Sequence, residues 1–428
     1  MDLKMKHVVI VGGGFAGLTA AKTLGSKKDI RVTLIDKQNF HLFQPLLYQV
    51  AMAGLSPADI AAPIRSLLSK HENVRVLRGV VTRVNTSDNS IDTDIGSFSF
   101  DYLIMAAGAK PSYFNHPEWE EYAPSIKTIS QATEIRRRLL NAFEKAERTD
   151  DTKEQKKLLT FVVIGGGPTG VELAGAIGEM SRYTLARDFR NIDASVARIF
   201  LIEGGAQILP MFSVQHAKRA ARDLEKLGVQ IWTNSLVSDI DEDGVTVGSE
   251  RISSSTVLWA AGVQGETMQF GEDVGRDQGN RIMVESDLSI PGFQNVFVVG
   301  DQSNIDDGSK DLPGTAPVAM QQGRFAANII LNDLAQKTRS PFKFTDRGQM
   351  ATIGRSSAIV EVGKLKFAGL FAWITWLVVH IYFLVGFKNR LMVVFSWGWS
   401  FLTFRKGARL IVDRDWRIGG ETDSPSQS

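Results

Sequence analysis

His7-Val8-Val9-Ile10-Val11-Gly12-Gly13-Gly14-Phe15-Ala16-Gly17 decides the fold of this 428-residue chain. An apolar, largely β-branched run ends in glycines at G-x-G-x-x-G spacing and opens onto Leu18-Thr19-Ala20-Ala21. That order reads as a buried parallel strand, a tight turn and a helix. Phe161-Val162-Val163-Ile164-Gly165-Gly166-Gly167-Pro168-Thr169-Gly170 repeats the pattern and opens onto Val171-Glu172-Leu173-Ala174. The first glycine makes the turn, the second lets backbone reach a pyrophosphate, and the third lets helix and strand pack closely. The phosphates then meet free N–H groups at the helix N-terminus. Two such loops imply two dinucleotides held by one chain.

Acidic residues sharpen the reading. Arg31-Val32-Thr33-Leu34-Ile35 reads as a second strand ending on Asp36, about 20 residues past the first glycines, where a carboxylate accepts hydrogen bonds from an adenosine ribose. After the second loop the matching strand, Ala197-Arg198-Ile199-Phe200-Leu201-Ile202, ends on Glu203. The longer spacing there reflects an insertion from Ser181 to Asp193. Glu203 repels a 2′-phosphate and no Arg follows among Gly204, Gly205 and Ala206, so NADH is expected over NADPH.

Composition excludes several chemistries. Net charge is +2, which suggests neither nucleic acid nor a broadly acidic partner. Cysteine is absent, so the chain carries no redox disulfide, thiolate metal site or cysteine–sulfur relay of its own. The histidines His7, His41, His71, His116, His216 and His380 are scattered and form no metal-spaced cluster. The first strand begins within about seven residues of Met1, and no secretory signal is read there.

Further strands keep returning to nucleotide-binding architecture. Asp101-Tyr102-Leu103-Ile104-Met105-Ala106-Ala107-Gly108 ends in small residues, as a chain passing close to a cofactor requires, and Val257-Leu258-Trp259-Ala260-Ala261-Gly262 repeats it. Asn295-Val296-Phe297-Val298-Val299-Gly300-Asp301 is a third such strand, with a helix expected from Val318 to Leu334. The expected fold class is α/β, with two Rossmann-like dinucleotide-binding domains, one inserted in the other, and a C-terminal helical region. Boundaries are placed at 1–112, 113–278 and 279–345, followed by 346–416 and a polar, disordered tail at 417–428. Arg136-Arg137-Arg138 is read as a solvated helix face.

Together the two loops, Asn39-Phe40-His41-Leu42-Phe43-Gln44-Pro45-Leu46-Leu47-Tyr48-Gln49-Val50-Ala51, the helix through Gly175, and Val299-Gly300-Asp301 resemble the type II NADH:quinone oxidoreductases, which are single-subunit and non-pumping. The resemblance runs from about residue 5 to 412. It implies non-covalent FAD in the first domain, with Gly12, Gly14 and Gly17 at its pyrophosphate, Asp36 at its ribose and Asp301 at its ribityl chain. Further cofactor contacts are implied at Phe15, Ala16, Lys37, Val81, Ala107, Gly108, Gly300, Ala319 and Met320. NADH is placed on the inserted domain at Gly165, Gly167, Pro168, Thr169, Gly170, Glu203, Ala261 and Gly262. Glu172 is implied as a hydrogen-bond and proton-transfer partner near flavin and quinone, and Gln321 as an amide donor to a quinone carbonyl. One departure stands out: the family pattern Ala-Gln-x-Ala-x-Gln reads Ala316-Pro317-Val318-Ala319-Met320-Gln321 here, and Pro317 offers neither an amide nor an N–H.

The C-terminal part differs in character. Phe367 to Phe387 carries no formal charge, holds Phe371, Trp373, Trp376, Tyr382 and Phe383, and is flanked by Lys364, Lys366, Lys388 and Arg390. Leu391 to Phe404 is also uncharged, holds Trp397 and Trp399, and is followed by Arg405, Lys406 and Arg409. Three readings fit: a single bilayer span, a buried core helix, or a helix lying in the membrane interface. Basic residues on both sides disfavour the span, and aromatics at the ends favour the interface. His380 is read as a packed or interfacial polar residue.

The expected partners are a membrane quinone, either ubiquinone or menaquinone, and a lipid surface. A homodimer is compatible with the sequence, and the expected place is the cytoplasmic face of the inner membrane. The alternative is an NADH-dependent reductase of a small ferredoxin- or rubredoxin-type carrier, which gives no reason for the aromatic C-terminal region. A flavin or nucleotide sensor without turnover is a third reading.

Overall fold

The computed structural model describes residues 5–271, 273–305, 312–403 and 407–412. The disordered tail expected at 417–428 lies outside them. Strand β1 (Lys6–Val11) leads through the first glycine loop into α1 (Phe15–Leu24) and back to β2 (Ile30–Asp36). Val8, Val9 and Ile10 are fully buried, since a parallel sheet has both faces covered. Helix α2 (Leu47–Ala51) follows, then β3 (Val74–Arg78) and β4 (Tyr102–Met105), giving the parallel order β4-β1-β2-β3.

The chain then crosses out through Ala109–Pro111, which pairs antiparallel with Val263–Gly265 where it returns. Between the crossings, α3 (Ile129–Arg148) starts at a capping box built by Thr128 and Gln131. Next come β5 (Thr160–Ile164), α4 (Pro168–Glu179), β6 (Arg198–Ile202), β7 (Val229–Trp232) and β8 (Thr256–Trp259), a second parallel sheet ordered β7-β6-β5-β8. On return, β9 (Phe293–Val298) adds to the first sheet beside β4, with Val296 opposite Leu103. Helix α5 (Ala316–Leu334) crosses α1 so closely that a Cβ on Gly323 would sit 2.2 Å from the Ala16 carbonyl oxygen. It begins two residues earlier than the sequence suggested, because Pro317 sits in its first turn, where a proline costs no helical hydrogen bond.

The remainder is an antiparallel meander, β10 (Gln349–Gly354), β11 (Ser357–Val362) and β12 (Leu365–Ala368), followed by α6 (Leu370–Phe383) and α7 (Phe387–Thr403). The meander docks on α4 backbone to backbone: a Cβ on Gly175 would lie 1.9 Å from the Ile353 carbonyl oxygen. One apolar core runs through the inserted unit and the C-terminal elements, while the first sheet keeps its own.

The length of one helix bears on the span already disfavoured, and one expectation is corrected. Helix α6 has 14 residues, or about 21 Å at 1.5 Å per residue, short of the roughly 30 Å of bilayer hydrocarbon. Gly386 (φ 93°) separates it from α7, and among the described residues no helix is long and apolar enough to cross a membrane. Nor is Arg136 on a solvated face. It is buried, donating to the carbonyls of Val50 (2.8 Å), Leu55 (3.2 Å) and Ala408 (3.1 Å), so α3 is stapled to α2 and to the segment after α7. Arg137 and Arg138 both pair with Glu134.

Candidate active site

The two glycine loops are built alike. A Cβ on Gly12 (φ 99°) would meet the Ala106 carbonyl oxygen at 2.2 Å, and one on Gly165 (φ 105°) the Ala260 carbonyl carbon at 2.6 Å. Gly17 and Gly170 each press on the first glycine of their loop, where a Cβ would stand 1.8 Å from its oxygen. By contrast, a Cβ on Gly14 or Gly167 would meet nothing within 4 Å. Each loop therefore leaves an open cradle at a helix N-terminus, with Phe15 and Ala16 opening α1 and Pro168 and Thr169 opening α4. The cradles fit a pyrophosphate.

Each acidic residue grips the middle glycine of its own loop. Asp36 accepts from the Gly13 N–H (2.5 Å) and the Gln38 N–H (2.6 Å), and burial raises its carboxyl. Glu203 accepts from the Gly166 N–H (2.7 Å) and the Gly205 N–H (2.6 Å). Gly13 is held at its other end too: His41, buried and pulled down to about 4 by desolvation, bonds its carbonyl through Nδ1 at 3.0 Å. A neutral imidazole is the donor there. The sequence marked His41 only as part of a motif; the contact that explains it spans 28 residues.

Around the first cradle, Ala16, Gly300 and Ala319 converge, with the Ala16 and Ala319 Cβ atoms 3.6 and 3.5 Å from where a Cβ on Gly300 would lie. Met320 follows in the first turns of α5. Gln322, which the sequence reading passed over, accepts from the Gly300 N–H at 2.6 Å and fixes the turn before Asp301. Gln302, also missed, accepts from the Ala107 N–H (3.2 Å) and donates to the Glu266 carbonyl (3.2 Å), tying Ala107 and Gly108 to the returning chain. Lys37 reaches Glu266 at 3.4 Å on the lip, and Val81 packs against the first core. Asp301 lines a cavity of about 240 Å³ with Gly300, Ser303 and Gly314. On the second unit, Ala261 and Gly262 end the loop after β8, and the Phe114 ring covers Gly262, 2.6 Å from where its Cβ would be.

A different cavity, about 130 Å³, lies where α2, α4, β10, α6 and α7 meet. Glu172, Ala176 and Glu179 line it from one face of α4, with Tyr48, Gln49, Trp376 and Trp397 opposite. Desolvation pushes the Glu172 carboxyl up to about 8, against a hydrogen bond from the Thr352 backbone that lowers it. Trp397 Nε1 donates to Gln49 Oε1 (2.7 Å), and Gln49 Nε2 donates to the Tyr48 hydroxyl (3.0 Å). Burial and the nearby Glu172 carboxyl hold the Tyr48 phenol well above its ordinary range.

Aromatic rings join this cavity to the first cradle. Phe15 meets Phe43 edge-on (5.9 Å), Phe43 meets His380 (6.2 Å), His380 stacks on Trp376 (4.0 Å), and Trp376 lies 5.6 Å from Trp397. His380 is a packed residue. Its Nδ1 bonds the Trp376 carbonyl at 2.7 Å, and desolvation lowers it to about 4.

Gln321, expected as an amide donor to the quinone, is seated on backbone in this structure. Its Nε2 donates to the Thr345 carbonyl (3.0 Å) and its Oε1 accepts from the Thr345 N–H (2.9 Å), so both ends of the amide are engaged on backbone. It is absent from the wall of the Glu172 cavity.

Comparisons with known proteins agree with this layout. A family model described as pyridine nucleotide-disulphide oxidoreductase matches residues 6–323, and one described as the NDH2 C-terminal domain matches 347–406. Two type II NADH:quinone oxidoreductases of Mycobacterium tuberculosis are 41% and 42% identical, each match covering 95% of this chain and 90% of the relative. Among solved structures, NDH2 from Plasmodium falciparum in complex with NADH shares the fold at TM-score 0.87 and 22% identity, covering 96% of this chain and all of that one. A sulfide:quinone oxidoreductase from Aquifex aeolicus is more distant, at TM-score 0.72 and 21% identity over 90% and 91% of the two chains.

Proposed function

The chain belongs to the type II NADH:quinone oxidoreductases, and from that premise we propose how its own residues divide the work. It is an FAD-dependent enzyme that oxidises NADH and reduces a quinone. The division at 1–112 with 279–345 for FAD, and 113–278 for NADH, gives each glycine cradle one dinucleotide. Gly12, Gly14 and Gly17 hold the FAD pyrophosphate on α1, with Asp36 and Asp301 at its hydroxyls. Gly165, Gly167 and Gly170 hold that of NADH on α4, and the Glu203 carboxylate disfavours a 2′-phosphate. Bound FAD supplies hydride acceptance from the nicotinamide and two-electron delivery to the acceptor.

The observation that carries the acceptor end is the cavity beside Glu172. Quinone reduction consumes two protons with its two electrons, and a carboxyl held near 8 keeps its proton at neutral pH. Glu172 is the proton donor at that wall, and Tyr48 stays protonated beside it. The ring of the acceptor enters between α4 and the C-terminal helices.

Those helices also present an outward apolar face. Phe371, Ile374, Val378 and Tyr382 recur at helical spacing on α6, as do Phe387, Leu391, Phe395 and Trp399 on α7, and all are exposed, Phe371 by 79%. Lys364, Lys366, Lys388 and Arg390 flank the two helices. This is an interfacial surface, which attaches the enzyme peripherally to the cytoplasmic face of the inner membrane and lets a lipid-soluble quinone reach the cavity from the bilayer. The test is vesicle flotation of the holoenzyme with Phe371, Val378, Tyr382 and Phe395 changed to Ser. The variant is expected to leave anionic vesicles while its flavin is still bleached by NADH at the wild-type rate. Retention on the vesicles rejects the attachment surface.

A further inference from the structure

We propose that the indole N–H of Trp376 is the hydrogen-bond donor that takes a carbonyl oxygen of the quinone, a role resting on the reading of the Glu172 cavity as the acceptor site. Three observations lead to it. First, the amides expected to serve are missing or turned elsewhere. Pro317 has none, and Gln321 is seated on the Thr345 backbone through both its oxygen and its nitrogen, outside the wall of the Glu172 cavity. Second, Trp376 forms part of the cavity wall, is 1% exposed, and its Nε1 has no acceptor among the described residues. A buried donor left without a partner is costly, and native structures pair such groups or reserve them for a ligand. The neighbouring indole of Trp397 is already satisfied by Gln49. Third, the cavity has room for the edge of one ring. Its volume of about 130 Å³ is close to the roughly 150 Å³ that accommodates a single benzene ring in a protein core.

The chemistry also matches. An indole N–H donates and cannot accept, so it selects a carbonyl oxygen and remains unchanged by the reaction. The Trp376 ring is fixed between His380 and Trp397, and His380 is bonded to its backbone carbonyl, so the donor is held before the acceptor arrives. Because Nε1 is itself covered, the entering ring must part the side chains around it. The decisive readouts are therefore binding and the state of the bound carbonyl.

The probe is duroquinone, a tail-less benzoquinone, titrated into the oxidised FAD-loaded enzyme, with infrared difference spectra of carbonyl-labelled duroquinone in the same samples. Trp376→Phe keeps a ring in the stack and removes the N–H. Should that variant fold poorly, 3-benzothienylalanine at position 376 replaces the N–H by sulfur in nearly the same shape. Either change is expected to weaken duroquinone binding about three- to tenfold, and to shift the bound carbonyl band up toward its value without a donor. Bleaching of the flavin by NADH is expected to stay unchanged. A structural role alone would not move the carbonyl band. Ser400→Trp, which places bulk at another point of the cavity wall, separates the two ways of failing. If Ser400→Trp binds duroquinone like wild type, the cavity is not the acceptor site and the proposal falls with that reading. If Ser400→Trp abolishes binding while both Trp376 variants keep wild-type affinity and carbonyl band, the cavity stands and the donor assignment is overturned.

Discussion

Replacing Glu172 by Gln should make the protein more stable, and by an amount that grows with pH. The carboxyl sits at about 8 in the folded chain against an ordinary glutamate value of 4.5, because desolvation penalises its charged form. Below the unfolded value both states carry the proton and there is no penalty. Between about 4.5 and 8 the folded chain holds a proton that the unfolded chain has released, so stability falls as pH rises, by about 1.4 kcal/mol per unit. Above about 8 the loss is complete, at roughly 5 kcal/mol, a ceiling that bound cofactor and water in the cavity reduce. Glutamine cannot ionise, and its carbonyl still accepts the Thr352 N–H. The assay is thermal unfolding of wild type and Glu172→Gln, followed by circular dichroism at a fixed scan rate from about pH 5 to pH 9. The midpoints should lie close together at the acid end and separate by several degrees by about pH 8, with the glutamine variant higher, then run parallel. A gap independent of pH, or a wild type that is the more stable in alkali, refutes a carboxyl kept protonated by burial. In the same variant, quinone-dependent turnover should drop and lose its decline above about pH 8.

Other outcomes follow from single contacts. Glu203→Ala frees the Gly166 and Gly205 N–H groups and removes a charge, so the KM for NADH should rise while the preference over NADPH narrows; an unchanged ratio in stopped-flow bleaching argues against ribose selection there. Arg136→Met strands three carbonyls that the guanidinium now satisfies, and should cost about 3 kcal/mol or more in denaturant unfolding, with loosening of α2 visible as faster amide exchange. Gln321→Leu should leave the KM for a short-chain quinone within about twofold, because the amide is committed to Thr345; a tenfold rise, about 1.4 kcal/mol, returns the donor to that residue.

What was legible in the sequence is what local chemistry dictates. The glycine spacing announces two strand–turn–helix units because a positive φ and a close approach at Gly12 and Gly165 admit no other residue, and these constraints act within a dozen positions. Asp36 and Glu203 were found because they sit at the ends of predictable strands. The long-range partners stayed hidden. Nothing near Arg136 in the chain shows that it reaches Val50 and Leu55, more than 80 residues away, and a triple-arginine run on a helix ordinarily faces water. Likewise the uncharged stretch around Trp376 shows apolarity all round, without saying which side faces the protein; the structure buries Ala372 and Trp376 and leaves Phe371 and Val378 outside. Pro317 read as a defect in a recognition pattern, and in the structure it also starts a helix.

The pairing of β9 with β4 has a consequence for how this protein is made. Val296 and Leu103 lie side by side in the first sheet but are separated by about two hundred residues of chain, nearly all of the inserted unit. On a ribosome working at about 5–20 residues per second, the first sheet waits on the order of ten to forty seconds for its missing strand. The inserted unit, whose β5, β6, β7 and β8 arrive without interruption, can close first. Until β9 arrives, β4 has an open backbone edge, the kind that recruits strands from other nascent chains. The yield of folded enzyme should therefore respond to translation speed and to chaperones that shield strand edges, and a circular permutant that makes the first sheet contiguous should be less dependent on both.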